Sequence, residues 1–148
     1  MSVTESVRSS IKEAMKARNK PRLGTLRLIS AEFKRIEVDE RIEVDDDRAL
    51  VVLDKMCKQR RDSEQQYLDA NRPELAEQES YEIGVIQEFL PAQLSEAEIL
   101  ALVIAAISAT GAEGIQGMGQ VMGQVKPQVQ GRADMGLVGK LVKQQLNA

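Results

Sequence analysis

Apolar residues recur at every third or fourth position along nearly the whole chain, which is the spacing of one face of an α-helix. Aromatic residues make up only 3% of the sequence and tryptophan is absent, so the core must be built from aliphatic side chains. Sheet proteins usually draw on aromatic and β-branched pairs, and no segment here has a convincing strand pattern. The sequence therefore predicts an all-α fold.

Capping residues and prolines place four helices in residues 1–92. A capping-box pattern at Ser2 and Glu5 begins the first helix, and Pro21 fits the first turn of the second. The third is expected from about Asp47 to Ala70, and Pro73 begins a fourth. Because the link between these two is short, they should form an antiparallel hairpin. The positions predicted to face the core are Val7, Ile11, Ala14, Met15, Leu23, Leu26, Ile29, Phe33, Ile36, Leu50, Leu53, Met56, Cys57, Tyr67, Leu68, Leu75, Ala76, Ile83, Ile86 and Phe89.

The second and third helices are separated by the segment "RIEVDERIEVDDD", which begins at Arg35 and contains Arg-Ile-Glu-Val-Asp twice. This repeated sequence is too short to indicate a repeat architecture. We predict an acidic, solvated connection. The aspartates Asp45 to Asp47 then supply the N-cap and the first-turn negative charge of the third helix.

A second boundary lies in "LPAQLSEAEI". Pro91 should end the fourth helix, Ser95 and Glu98 form another capping box, and Leu94 with Ile99 form a hydrophobic staple. We therefore predict a helical-hairpin N-terminal domain over residues 1–92 and a compact three-helix C-terminal bundle over residues 93–148.

Three helices are expected in the bundle. The fifth should run from Glu96 to about Ala109. The sixth has helical spacing from Met118 to Val129 but must end or bend at Pro127. Asp134 is expected to cap the seventh.

Charge is unevenly distributed although the net charge is only −3. Residues 1–35 hold nine basic and three acidic side chains, residues 36–110 hold seven and eighteen, and residues 111–148 hold four and two. Both ends suit a polyanionic partner, whereas the middle would repel one.

Histidine is absent, which excludes Ser-His-Asp and Cys-His nucleophile pairs and the imidazole ligands of most zinc sites. The single cysteine, Cys57, is predicted to be a buried structural thiol and suits a reducing compartment. The first residues show no secretory signal, and the longest apolar run, Ile99 to Ile107, is too short to cross a bilayer. We expect a cytoplasmic protein with no catalytic residues, metal, cofactor or membrane partner.

The glycine-rich stretch "GMGQVMGQVKPQVQGRADMGLV" does not match a nucleotide-binding loop. Gly117, Gly119 and Gly123 lack the G-x-G-x-x-G spacing and follow a helix rather than a strand, and no Walker lysine is present. The alternative is that glycine lets neighbouring helix backbones approach closely within a small core. Gly131 is expected to serve the chain reversal before the last helix.

Three segments, "KQRRDSEQQYLDANRPELAEQE", "EFLPAQLSEAEI" and "MGQVMGQVKPQVQGRAD", occur in this order. Together they closely resemble the small YqeY-like bacterial proteins along essentially the whole chain. The last third is also similar to the helical tail of the B subunit of the glutamyl/aspartyl-tRNA amidotransferase. That tail has a comparable "GQVM" turn of helix and a Gly-basic-Ala step before its final helix.

The resemblance implies a non-catalytic, tRNA-binding accessory protein related to a carbon–nitrogen ligase that uses glutamine as amido donor. In the amidotransferase the chemistry belongs to other domains, and the tail helps to hold the tRNA. Matched by motif, the RNA-facing positions are Gly119 to Met122, Lys126, and Gly131 to Asp134 with Arg132; Lys140 and Lys143 on the following helix would add phosphate contacts. At Gly123 the sequence departs from the tail, which has a basic residue there.

A second hypothesis is a protein-interaction module that uses the long hairpin. Lys58, Arg60 and Arg61 would then bind a partner's carboxylate or phosphate. The alternative for the two arginines is pairing within the hairpin with Glu64, Glu79 or Glu82. A protein partner in tRNA amidation or translation fits either hypothesis.

Overall fold

The computed structural model describes Met1–Asn147. Within these residues it has seven α-helices, a short 3-10 turn and no strand, which confirms the all-α prediction. The helices are α1 (Val3–Lys16), α2 (Lys20–Glu40), α3 (Asp46–Asp69), α4 (Pro73–Gln87), α5 (Glu96–Thr110), α6 (Met118–Val129) and α7 (Met135–Leu146), with the 3-10 turn at Ile115–Gly117. The chain divides into two compact units, one of Met1–Pro91 and a second that begins at Ala92.

The first unit packs α1 to α4 around an aliphatic core in which Phe33 is the buried aromatic residue. Helices α3 and α4 form the predicted hairpin and make the most extensive helix–helix contact of the unit. The predicted cap of α1 is present, since the Ser2 side chain accepts from the Glu5 backbone and the Glu5 carboxylate accepts from the Ser2 backbone. A bond between helices accompanies it, because the Val3 backbone donates to Asp46 at 2.8 Å.

The predicted connection between α2 and α3 is wrong over its first half. Helix α2 continues to Glu40 and ends where Arg41 adopts a left-handed conformation, with φ of 55°. The remaining link is not fully solvated, because Val44 is buried in the core of the unit and its backbone donates to Glu37. Salt bridges from Arg35 to Glu32 and Asp39 flank this part of the helix on its surface.

Two predicted core positions are also wrong. Met15 and Leu68 are about half exposed. Met15 lies in the last turn of α1, next to the buried Ala14 that occupies the core side. Leu68 lies in the last turn of α3, near the tip of the hairpin, where about half of it remains exposed. In the opposite direction, periodicity missed Val85, which is buried in α4.

The second unit is the predicted three-helix bundle of α5, α6 and α7. Its core is almost entirely valine, leucine, isoleucine and alanine: Ile99, Val103, Ala106, Val121, Val125, Val129, Ala133, Val138, Leu141, Val142 and Leu146 are buried. Ser95 and Glu98 form the predicted capping box of α5, and Asp134 caps α7 through the Gly136 backbone. Pro127 lies inside α6, and the helix ends two residues later.

The glycines of the bundle serve different purposes. A side chain at Gly117 would place its Cβ 2.6 Å from that of Ala112, so close approach requires glycine there. Gly131 has φ of 74°, as a chain reversal demands. The close-packing interpretation is wrong for Gly119 and Gly123, because both are exposed and no atom lies within 4 Å of the position of an added Cβ.

Among the described residues no single helix is long and apolar enough to span a membrane. Helix α5 and the segment Ile115–Val129 satisfy the length and composition test only as a pair, bent by 98°.

Candidate nucleic-acid interface

Local hydrogen bonds and one left-handed residue shape the predicted RNA-binding turn between α6 and α7. Gly131 is buried in its left-handed conformation, and the Arg132 backbone donates to Val129 at 2.8 Å. Ala133, the next residue, is buried in the bundle core. The turn therefore packs against the bundle through Gly131 and Ala133, while the side chain of Arg132 between them is half exposed.

The turn is also bonded to the first residues of the bundle, Ala92 to Leu94, which we call the leading segment. The Leu94 backbone donates to the Arg132 carbonyl at 2.8 Å. The Gln93 side chain donates to the Gly131 carbonyl at 3.0 Å, and Arg132 Nε donates to the Ala92 carbonyl at 3.3 Å. Three hydrogen bonds thus hold two segments together that lie about forty residues apart in the chain.

The charge of Arg132 also affects Glu98, in the first turn of α5. Glu98 accepts a hydrogen bond from the Ser95 backbone, which holds the pKa of Glu98 below its ordinary value, and the nearby Arg132 charge adds to this effect. Because Glu98 is exposed, this electrostatic interaction is weak. Arg132 thus lies beside the leading segment, to which its Nε is bonded, and near enough to the first turn of α5 to affect Glu98.

The three candidate lysines are exposed on the surface of the same unit. Lys126 lies in the last turn of α6, and Lys140 and Lys143 lie on α7. Since residues three apart share a helix face, Lys140 and Lys143 point to the same side of α7. From Gly114 to Asn147 the sequence contains these lysines and Arg132 against one acidic residue, Asp134.

Ion pairing differs between the two units. In the first unit, five of the ten arginines are paired with carboxylates, in the surface pairs Arg22–Glu88, Arg35–Glu32, Arg35–Asp39, Arg48–Glu40 and Arg72–Glu74, and in the hairpin pair Arg60–Glu82. Within Met1–Asn147, none of the observed ion pairs involves Lys126, Arg132, Lys140 or Lys143. Among the described residues, these four cations therefore make no direct ion pair, and the carboxylate whose pKa Arg132 affects is that of Glu98.

The segment Gly119–Met122 forms the first part of α6. Gly119 and Gln120 are exposed, whereas Val121 is buried in the core and Met122 is half buried. Of the predicted RNA-facing segment Gly119–Met122, Gly119 and Gln120 are thus the exposed residues. The bare backbone of Gly119 and Gly123 belongs to this exposed face.

The hairpin candidates are not equivalent. Arg60 Nε donates to Glu82 at 3.0 Å and its Nη1 donates to the Met56 carbonyl, so this side chain is engaged between α3 and α4. This is the pairing that the alternative interpretation predicted for Arg60. Lys58 and Arg61 are exposed. Of the proposed partner-binding residues, these two are the ones presented to solvent.

Carboxylates surround the Arg60 guanidinium inside the hairpin. Burial raises the pKa of Glu79, and the neighbouring charges of Glu82 and Glu64 raise it further, while Arg60 opposes the shift. Among the charges that shift the pKa of Glu79, Arg60 is therefore the cation that offsets the carboxylates of Glu82 and Glu64. The bond from Arg60 to Glu82 links α3 to α4, whereas the uncompensated charge of Glu79 opposes their pairing.

Other chemistry has little support from the geometry. Cys57 is fully buried, and burial raises the pKa of its thiol, which disfavours a reactive thiolate. In the part of the chain that the structure describes, no group of cysteine, aspartate or glutamate side chains is arranged to hold a metal ion.

Sequence reasoning missed Gln93 and the Ala92 carbonyl as supports of the candidate turn. No local signal identifies them, because a side chain–backbone bond across 38 or 40 residues leaves no periodicity. The nearest hint was the staple at Leu94, which is partly buried against the bundle core as predicted.

Comparison with known proteins agrees with the resemblance of the three motifs. A model of the family described as "Yqey-like protein" matches residues 4–146. "Altered inheritance of mitochondria protein 41, mitochondrial" of Pyrenophora tritici-repentis (strain Pt-1C-BFP) is 30% identical over 150 residues, covering 99% of this chain and 82% of that protein. The family match includes the helical hairpin and the bundle. The chain belongs to the YqeY-like protein family.

Proposed function

We propose that this protein is a non-catalytic RNA-binding accessory protein whose C-terminal bundle holds tRNA. Lys126, Arg132, Lys140 and Lys143 contact phosphates, and the exposed backbone of α6 admits the RNA closely. By resemblance to the amidotransferase tail, the tRNA is presented to a protein partner in tRNA amidation or translation. The chemistry belongs to that partner, since this sequence contains no histidine and its cysteine is buried.

The observation that carries the proposal is the local excess of positive charge in the bundle, where the sequence from Gly114 to Asn147 has four cations and one acidic residue, Asp134. A cation that already has a carboxylate partner must lose it before it binds a phosphate, whereas the four bundle cations have no such partner among Met1–Asn147. They are located on one small unit, with three of them on its last helix or on the turn before it. An overall acidic protein can therefore present a locally basic surface to a polyanion.

The test is binding of unfractionated tRNA to the full chain, measured as a function of salt. Replacing one phosphate-contacting lysine by glutamine should lower the slope of log K against log salt by about 0.7 to 0.9. We expect this for Lys126→Gln and Lys143→Gln, each with unchanged thermal stability because both side chains are exposed.

Lys55→Gln is the matched control, because Lys55 is likewise an exposed lysine on a helix but lies in the acidic middle of the chain. It should leave both affinity and slope unchanged. A wild-type chain that binds no tRNA even at low salt would end the proposal.

The hairpin hypothesis makes a different prediction for the same assay. Lys58 and Arg61 are its exposed cations, and acidic residues surround them on α3. Lys58→Gln with Arg61→Gln should leave tRNA binding unchanged if the bundle is the RNA site. A loss as large as that of Lys126→Gln with Lys143→Gln would instead place the RNA on the hairpin.

A further inference from the structure

The leading segment makes hydrogen bonds that the helical pattern of the sequence does not predict. A bundle can begin at the cap of α5, yet Ala92 and Gln93 are bonded to the α6–α7 turn ahead of that cap. Gln93 is exposed as a residue, but its amide reaches a carbonyl of the buried Gly131. The bond therefore orients the turn without adding to the apolar core.

Arg132 is the functional side chain that this arrangement controls. A guanidinium has five N–H donors in one plane, and donation from Nε to Ala92 restrains the orientation of that plane. The Nη donors make no hydrogen bond to other described residues and remain available for an anion. A half-exposed arginine that is fixed in this way loses less conformational entropy on binding a phosphate than a mobile one does.

We infer that Gln93 and the Ala92 carbonyl are positioning groups for the Arg132 guanidinium, so that the leading segment is part of the RNA site. The inference rests on the proposed function and adds residues that contact no RNA. Gln93 holds the Gly131 carbonyl, Ala92 holds Nε, and the backbone of Leu94 holds the Arg132 carbonyl, which together present the Nη groups to a phosphate oxygen.

The test begins with Gln93→Met in the full chain, which keeps the length of the side chain and removes its N–H donor. Because a neutral hydrogen bond is lost, we expect tRNA affinity to fall about threefold. The salt slope should stay the same, since Gln93 touches no phosphate. Gln128→Met is the matched control, because the Gln128 amide also donates to a backbone carbonyl but within α6, and it should leave affinity unchanged.

A double-mutant cycle distinguishes positioning from general stabilisation. In the background of Arg132→Ala, Gln93→Met should cause no further loss of affinity, because the side chain that it positions is gone. In the background of Lys143→Ala, the two losses should multiply. A general weakening of the bundle would produce the same factor in both backgrounds.

A measurement without RNA checks the structural step. Hydrogen exchange of the Arg132 Nε–H, followed by NMR, should be slower in the wild-type chain than in Gln93→Met. Unchanged exchange, unchanged affinity, or losses that multiply in the Arg132→Ala background would each overturn the inference while leaving the proposed function intact. Absence of tRNA binding by the wild-type chain would refute both.

Discussion

Replacing Arg60 by alanine should destabilise the first unit more than any surface change nearby. Arg60 lies in the middle of the α3–α4 hairpin, and its side chain and that of Glu82 are only 15% and 14% exposed. The substitution removes the bond to Glu82 and the bond to the Met56 carbonyl. It leaves Glu82 beside Glu79 without the compensating cation.

The magnitude follows from this burial. Breaking a fully buried ion pair by removing one partner costs about 3–5 kcal/mol, because the other charge stays desolvated. Both side chains retain some contact with water, so we expect a loss of about 2–3 kcal/mol in the free energy of unfolding. For a unit of this size that corresponds to a decrease of roughly 10–20 °C in Tm.

The chain offers a selective assay. Its two tyrosines, Tyr67 and Tyr81, lie on α3 and α4, and tryptophan is absent. Tyrosine fluorescence during urea unfolding therefore reports on the hairpin and not on the C-terminal bundle. Arg61→Ala is the control, because the exposed neighbour should change stability by less than about 0.5 kcal/mol.

Two results would refute the reasoning. One is a loss for Arg60→Ala no larger than that of Arg61→Ala, which would mean that the pair is effectively solvated. The other concerns Arg60→Met combined with Glu82→Leu, which removes both charges and should be within about 1 kcal/mol of the wild type. If that double variant were as unstable as Arg60→Ala, an uncompensated carboxylate would not be the cause.

Two further predictions concern the glycines and the acidic cluster. Gly117→Ala should destabilise the bundle by about 1–3 kcal/mol, because the added Cβ overlaps that of Ala112. Gly123→Ala should stabilise the bundle by up to about 1 kcal/mol, because its added Cβ has no neighbour within 4 Å and alanine favours the helix. Urea unfolding followed by circular dichroism compares the two variants. Glu79→Gln should stabilise the hairpin near neutral pH. The folded pKa of Glu79 is raised above the unfolded value, so the wild type gains stability from this group as pH falls through the folded pKa. The variant should lack that gain when unfolding is followed by tyrosine fluorescence at a series of pH values.

Periodicity and capping chemistry predicted the helices well because both are local. Leu26, Ile29 and Leu53 are buried where an aliphatic 3.6-residue pattern placed them, and Ser95 caps α5 as its spacing to Glu98 indicated. The same logic failed at Leu68. A helical pattern identifies an apolar face but not whether a neighbouring helix extends far enough to cover it.

The acidic repeat shows a second limit. Charged residues between Arg35 and Glu40 suggested a solvated connection, yet these residues are helical. Charge alone does not end a helix, because glutamate and arginine have good helix propensity and can pair along its surface. The end is set by the left-handed residue Arg41, and nothing in the residue type of arginine predicts that conformation.

The candidate site shows the third limit, and it affects how the RNA hypothesis must be tested. The resemblance implies that Arg132 contacts a phosphate, and the motif that carries it gives no sign of a structural role for the side chain. The structure bonds its Nε to Ala92 and its backbone to Leu94. Arg132→Ala therefore removes a charge and a structural bond together, and loss of RNA affinity in that variant alone would not distinguish them. Lys126 and Lys143, which are exposed and lie on helices, change charge alone, and the cycle with Gln93 isolates the positioning contribution.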